Sequence, residues 1–293
     1  MQALLVLYMV KYLLLPGQFD HVWGIRPLQN LFGGLEGQPL ASAIFGAYTS
    51  LVYVTPILGG LIADRILGRR RTVLLGAFTM AAGHFLMAVE AAFLLGLFCL
   101  IVGTGLFKGN IASQVGGLYA DDDNRRADAF QIFYLGINAG VIASPLIVGT
   151  LGEKVGWHWG FGAAGVGMLI GLAVYVAGNR HLPPDPPRRR GRAGRAPLAA
   201  AERKRVLALI LLLPVMAVAV IPNDQIFNAY MVWGDQRFDL EFFGHRLPTT
   251  WLVTLDAIVS VSFLAGVALF WRWWGKRHKE PDELGKILIG SLF

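Results

Sequence analysis

The chain has 293 residues, of which 55% are apolar and only 15% charged, with 36 glycines and a net charge of +7. Globular domains carry about 25% charge; here stretches of about 20 residues pass without any, the length that crosses roughly 30 Å of hydrocarbon, so the composition excludes an ordinary soluble fold. The lone cysteine, Cys99, can form neither an internal disulfide nor a thiolate metal site and reads as a buried structural thiol.

In chain order, spans are expected at about 1–15, 41–63, 72–89, 92–118, 128–150, 158–178, 206–233 and 249–271, with a ninth beginning near Leu284. No basic leader or cleavage site precedes the first apolar run, so the spans themselves are expected to direct insertion. That run, about 22 Å of helix at 1.5 Å per residue, is short for a crossing, and the last ten residues begin an apolar helix and stop. The expectation is therefore that both ends are cut. If the first span runs outward, 20 of the 26 lysines and arginines fall in loops on the cytoplasmic side, nine of them between Arg180 and Arg205. The basic excess is then a topology signal for a bacterial-type inner membrane with basic loops inside, and nucleic-acid binding is not indicated.

Residues 179–205, with HLPPDPPRRRGRAGRAP, are too rich in proline and arginine to bury and read as a flexible cytoplasmic linker. They divide the chain into a bundle of six spans, 1–178, and the start of a second bundle, 206–293. Two six-helix bundles joined by a basic loop form the architecture of the major facilitator superfamily. The expected fold class is accordingly all-α, a polytopic membrane protein.

Three segments carry the chemistry. GGLIADRILGRRR, Gly59 to Arg71, sets glycines for close helix approach beside Asp64, Arg65, Arg69 and Arg70, which can pair across a cytoplasmic seam; it resembles the superfamily's signature gating loop. GTGLFKGNIAS places Lys108 near mid-membrane, where a lysine costs roughly 2.5–3.5 kcal/mol, so a wet cavity or a partner is expected there. FQIFYLGINAG puts Asn138 within the fifth span, with Tyr134 one turn before it. An asparagine there serves equally well as interhelical glue or as a ligand group.

Together with YVTP at Tyr53 to Pro56, the DRILGRRR loop and the FYLGINAG helix resemble the proton-dependent oligopeptide transporter family over nearly the whole chain. The resemblance implies proton-coupled symport of di- and tripeptides by alternating access, with no cofactor and the proton gradient as driving force. It implies Lys108 and Asp224 in proton coupling, and Gln2, Tyr53, Asn138, Trp251 and Asp256 in peptide contact. The family's ExxERF motif is absent, and MQALLVLYMV looks like its immediate continuation. Asparagine is usual where Asp256 stands, and the two extra helices of many bacterial members do not fit in 179–205.

Elementary chemistry agrees with that implication. A carboxyl group withdrawn from water favours its protonated form, and a nearby lysine competes for it, which links proton and substrate. A zwitterionic peptide needs a cation such as Lys108, a carboxylate such as Asp224 or Asp256, and an amide such as Asn138. Expected partners are thus small peptides, protons and membrane lipid. The alternatives are a carrier for another small solute, a non-transporting fragment, and a membrane enzyme. The last is disfavoured because His84, His158 and His245 are scattered with no metal-ligand spacing.

Overall fold

The computed structural model describes residues 2–15, 17, 19–120, 123, 125–182, 184–185, 200–279 and 281–290. Most of the expected linker, 183 and 186–199, lies outside the described residues. Helix α1 (Gln2–Tyr8) runs into a π-helical turn at Met9–Leu13. There follow α2 (Ile25–Leu31), α3 (Gly37–Ile62, continued by a π-helical turn at Ala63–Leu67), α4 (Arg69–Met87) and α5 (Phe93–Gly116). Next come α6 (Arg125–Ser144, with π-helical turns at Pro145–Gly149 and Leu151–Val155) and α7 (Trp157–Gly178). The remainder is α8 (Ala200–Asp224), α9 (Ala229–Arg237), a two-stranded antiparallel hairpin, α10 (Trp251–Trp274) and α11 (Glu283–Gly290). The strands of the hairpin are β1 (Glu241–Phe242) and β2 (His245–Arg246). Among the described residues, five helices are long and apolar enough to cross a membrane.

Helix α1 is apolar all round, and every residue from Ala3 to Tyr8 is buried, as such a helix must be. Tyr8 sits among the rings of Tyr12, Phe93, Trp157 and Phe161 at 5.1–5.7 Å, joining α1 to α5 and α7. By contrast α6 buries no side chain, and Ile57, Ile132, Val174 and Phe263 are among many exposed apolar groups, the surface expected where lipid is the solvent.

Glycines set the packing of α4 on α5. A Cβ on Gly76 would lie 2.8 Å from the Gly103 carbonyl oxygen, and one on Gly83 would lie 2.9 Å from that of Gly96. The two pairs repeat at seven-residue spacing, so the backbones approach along a continuous seam. A Cβ on Gly59 of α3 would likewise overlap the Gly105 carbonyl of α5.

Two expected boundaries are corrected. The span 206–233 is not one helix: α8 ends at Asp224, and Asn228, with φ −123° and ψ −91°, breaks the path before α9. The arginines Arg69 to Arg71 belong to the first turn of α4 rather than to a loop. Lys108 lies eight residues, about 12 Å at 1.5 Å per residue, before the end of α5 and about 5 Å from the middle of that helix.

Candidate functional site: a lysine-tyrosine pair between two unlike faces

Two polar side chains fasten α5 to α3 and thereby place Lys108. The buried Asn110 amide donates to the Gly59 carbonyl at 3.2 Å, and the Thr55 hydroxyl donates to that of Ile101 at 3.2 Å. Tyr53 stands two residues before Thr55, as Lys108 stands two before Asn110. The result is a cation-π contact, with Lys108 Nζ 4.5 Å from the centroid of the Tyr53 ring. Both side chains are otherwise exposed, so the ammonium has an aromatic face for a neighbour and open space beyond it.

The other expected site residues are distributed around this pair. Trp251 donates its indole N–H to the Thr150 hydroxyl at 2.9 Å, joining α10 to the end of α6. Thr254 donates to the Ile142 carbonyl at 3.0 Å, one turn beyond Asn138. Asp256 follows two residues later on another face of α10 and is exposed, as is Asn138. Gln2 opens α1 and Asp224 closes α8, both half-buried. Among the described residues, no hydrogen bond or ion pair joins Gln2, Asn138, Asp224 or Asp256 to one another or to Lys108.

At the face where α1 and α6 end, an unforeseen network ties the first part of the chain to α9 and α10. Asp235 of α9 accepts from Lys11 Nζ at 2.9 Å, from the Thr249 hydroxyl at 2.8 Å and from Arg246 Nη2 at 3.2 Å. Burial pushes the Asp235 carboxyl up, but the hydrogen bonds and charges of Lys11, Thr249 and Arg246 outweigh it and hold the group below the ordinary carboxylate value. Glu153 accepts the backbone N–H groups of Thr249 and Thr250 at 2.8 and 2.9 Å and the Thr250 hydroxyl at 2.7 Å. It thus satisfies donors at the N-terminus of α10, where a negative charge is favoured. Ser42 donates to the Asn228 side-chain carbonyl at 3.0 Å, and Lys154 donates to the Arg246 carbonyl.

The basic face is held differently. Three arginines in the first turn of α4 oppose the helix dipole, and Gly68 offers no side-chain cap. Asp185 supplies one: both of its oxygens lie 3.3 Å from the Arg70 backbone nitrogen, and Arg70 Nη2 donates to the Leu182 carbonyl. Gly68 is required twice over. Its φ is +83°, and a Cβ there would lie 2.5 Å from Asp185 Oδ2. Asp64 is 4.0 Å from Arg69 Nε, while Arg65 is exposed. Lys11, Asp235, Glu153 and Asp185 were recognisable in sequence only as charges at helix ends; nothing local names their partners.

The sequence pattern of the POT family matches residues 70–194. Among curated relatives, the uncharacterized transporter YclF of Bacillus subtilis (strain 168) is 33% identical over 90% of this chain and 66% of its own length. A di-/tripeptide transporter of Lactococcus lactis subsp. lactis (strain IL1403) is 40% identical over 61% of this chain and 36% of the relative. The crystal structure of a mutant peptide transporter POT in complex with alafosfalin superposes with a TM-score of 0.68 at 30% identity, covering 94% of this chain and 65% of that one. This chain belongs to the POT family. It has the fold of the major facilitator superfamily, as read from the six spans and the basic linker. The chain spans less than two thirds of two of these three proteins, and about two thirds of YclF.

Proposed function

We propose that this POT-family chain is part of a transporter that carries di- and tripeptides across the membrane by alternating access, driven by the proton gradient. The observation that carries the reading is the Lys108–Tyr53 pair: a cation held on an otherwise apolar helix, stacked on one ring and open on its other side. The di-/tripeptide transporter among its relatives and the peptide transporters among its structural neighbours favour peptides as the cargo.

In this reading Lys108 receives the peptide carboxylate, and Tyr53, Asn138, Gln2 and Trp251 supply ring and amide contacts. Asp224 and Asp256 face the peptide amine, with Asp224 exchanging a proton as Lys108 engages or releases its anion. The basic loops lie in the cytoplasm of a cell with a bacterial-type inner membrane. Residues 1–178 form one rocking bundle and 206–293 the beginning of the other, joined by 179–205. Asp64, Arg65, Arg69 and Arg70 serve the cytoplasmic gate. The network around Asp235 and Glu153 then closes the outer face, and the cavity is entered from the cytoplasm.

Uptake of a labelled dipeptide into proteoliposomes under an inward proton gradient tests this. Lys108→Ala is expected to abolish gradient-driven uptake while the protein still inserts. Undiminished gradient-driven uptake by that variant would defeat the coupling role.

A further inference from the structure

The hairpin between α9 and α10 carries a side chain for which the fold supplies no contact. Its register pairs Glu241 with Arg246 and Phe242 with His245, so the turn consists of two residues, Phe243 and Gly244. Both have positive φ, 51° and 77°, as the tight turn that matches strand twist requires. Asparagine or aspartate followed by glycine is the usual pair there, because a left-handed backbone is costly for a bulky residue. Among the described residues, Phe243 is the one non-glycine with positive φ. Its side chain is also fully exposed, at 101%, and Phe242 beside it is 57% exposed. The tip thus bears two costs, a strained backbone and an aromatic ring in water, and a ring so exposed touches no described part of the protein that could offset them.

The base of the hairpin is fixed. Leu240 is buried, and the Leu247 N–H donates to its carbonyl at 2.8 Å. Arg246 of β2 donates to the Asp235 carboxylate at 3.2 Å, and its own carbonyl accepts from Lys154. The chain path then sets the depth of the tip. Arg237 ends α9 and Trp251 begins α10, a helix long and apolar enough to cross a membrane, so Phe243 stands six residues from one helix end and eight from the other. At 3.3–3.6 Å per extended residue, it lies no more than roughly 20 Å from the end of α9. The rings nearest in the chain form an interfacial set. Trp233 of α9 is half exposed, and its ring centroid is 4.9 Å from that of Phe238 and 6.1 Å from that of Tyr230. Aromatic residues at the end of a membrane helix settle at headgroup level, and Phe242 and Phe243 extend this set.

We propose that the hairpin tip is a lipid anchor: Phe242 and Phe243 insert among the headgroups of the leaflet on the Asp235 side, beside the aromatic residues of α9. Lipid then supplies the apolar contact that offsets the strain at 243. The anchor is independent of what the chain carries, because all its parts lie within residues 229–247.

The purified full chain with Cys99→Ser and Phe243→Cys, labelled with the fluorophore NBD in phosphatidylcholine nanodiscs, tests the location of the tip; Glu36→Cys, exposed in the loop before α3, serves as the reference. At 243 the emission is expected to be blue-shifted, to be quenched by lipid brominated near the headgroup end of its chains, and to respond far less to iodide than at 36. Equal iodide quenching at the two positions would overturn the anchor. Shielding of 243 from both iodide and brominated lipid would overturn it too, and would assign the tip to a contact with a second copy of this chain or another protein. The ring itself is tested by Phe243→Asn, which relieves the strain and removes the apolar group. Its thermal midpoint in the same nanodiscs is expected to fall below that of the unaltered chain, and a rise or no change would count against the anchor.

Discussion

The two faces of this molecule are held together by different means. On the face where α1 and α6 end, carboxylates cross from one half of the chain to the other: Asp235 to Lys11, and Glu153 to Thr249 and Thr250. On the basic face the described contacts stay within the first half and its trailing segment, as in Asp185 against Arg70 and Tyr175 donating to Gln114 at 2.9 Å. A seam tied between halves is shut, whereas one tied only within a half leaves the halves free to part. Among the described residues the ties between the halves thus gather on one side, which in the proposed transport cycle is the closed face.

The largest expected effect comes from cutting the closed side. Glu153→Ala removes three hydrogen bonds and leaves donors at the start of α10 without their acceptor, for a loss of roughly 2–4 kcal/mol, read as a fall in the thermal midpoint. Asp235→Asn should cost less, about 1–3 kcal/mol, and should raise the reactivity of a cysteine placed at Ser42 toward a membrane-impermeant maleimide. If either substitution leaves that reactivity unchanged, the closed face is not held by these groups.

A smaller effect is expected at the basic face. Asp185→Ala removes the borrowed cap of α4 and should cost about 1 kcal/mol without altering labelling at Ser42. Gly68→Ala forces a side chain into the left-handed region and against Asp185, and should cost at least as much. The smallest expected effect is that of pH on closure. Because the Asp235 carboxyl is held below its ordinary value, its contribution is complete above that value and is lost only as pH falls through the depressed one. Labelling of Ser42→Cys, taken relative to an exposed reference cysteine so that the thiol's own ionisation cancels, should therefore be flat between about pH 5 and 8. A transition within that window would mean that the Asp235 carboxyl is not held low, or that another group controls closure.

Much of this architecture was legible in the chain. Apolar length located most spans, and a lysine within α5 announced itself by its desolvation cost before Tyr53 was seen beside it. The break at Asn228 was not legible, because residues 206–233 are apolar on both sides of it and periodicity does not report a change of backbone direction. Nor were Lys11 as a partner of Asp235 and Thr249 and Thr250 as partners of Glu153, which lie 96 to 224 residues away in sequence. Charge at a helix end is visible locally; the helix end it meets is a product of packing. The glycine at 68 was read as part of a motif, and its reason, a carboxylate from beyond α7, emerged only with the fold.

The most direct test of which face is closed is labelling of a cysteine at Tyr53, on a background with Cys99 replaced by serine, from each side of the membrane. An impermeant maleimide is expected to reach Tyr53→Cys from the side bearing Arg69 and Arg126 and not from the side bearing Asp235. Labelling only from the Asp235 side would contradict the account.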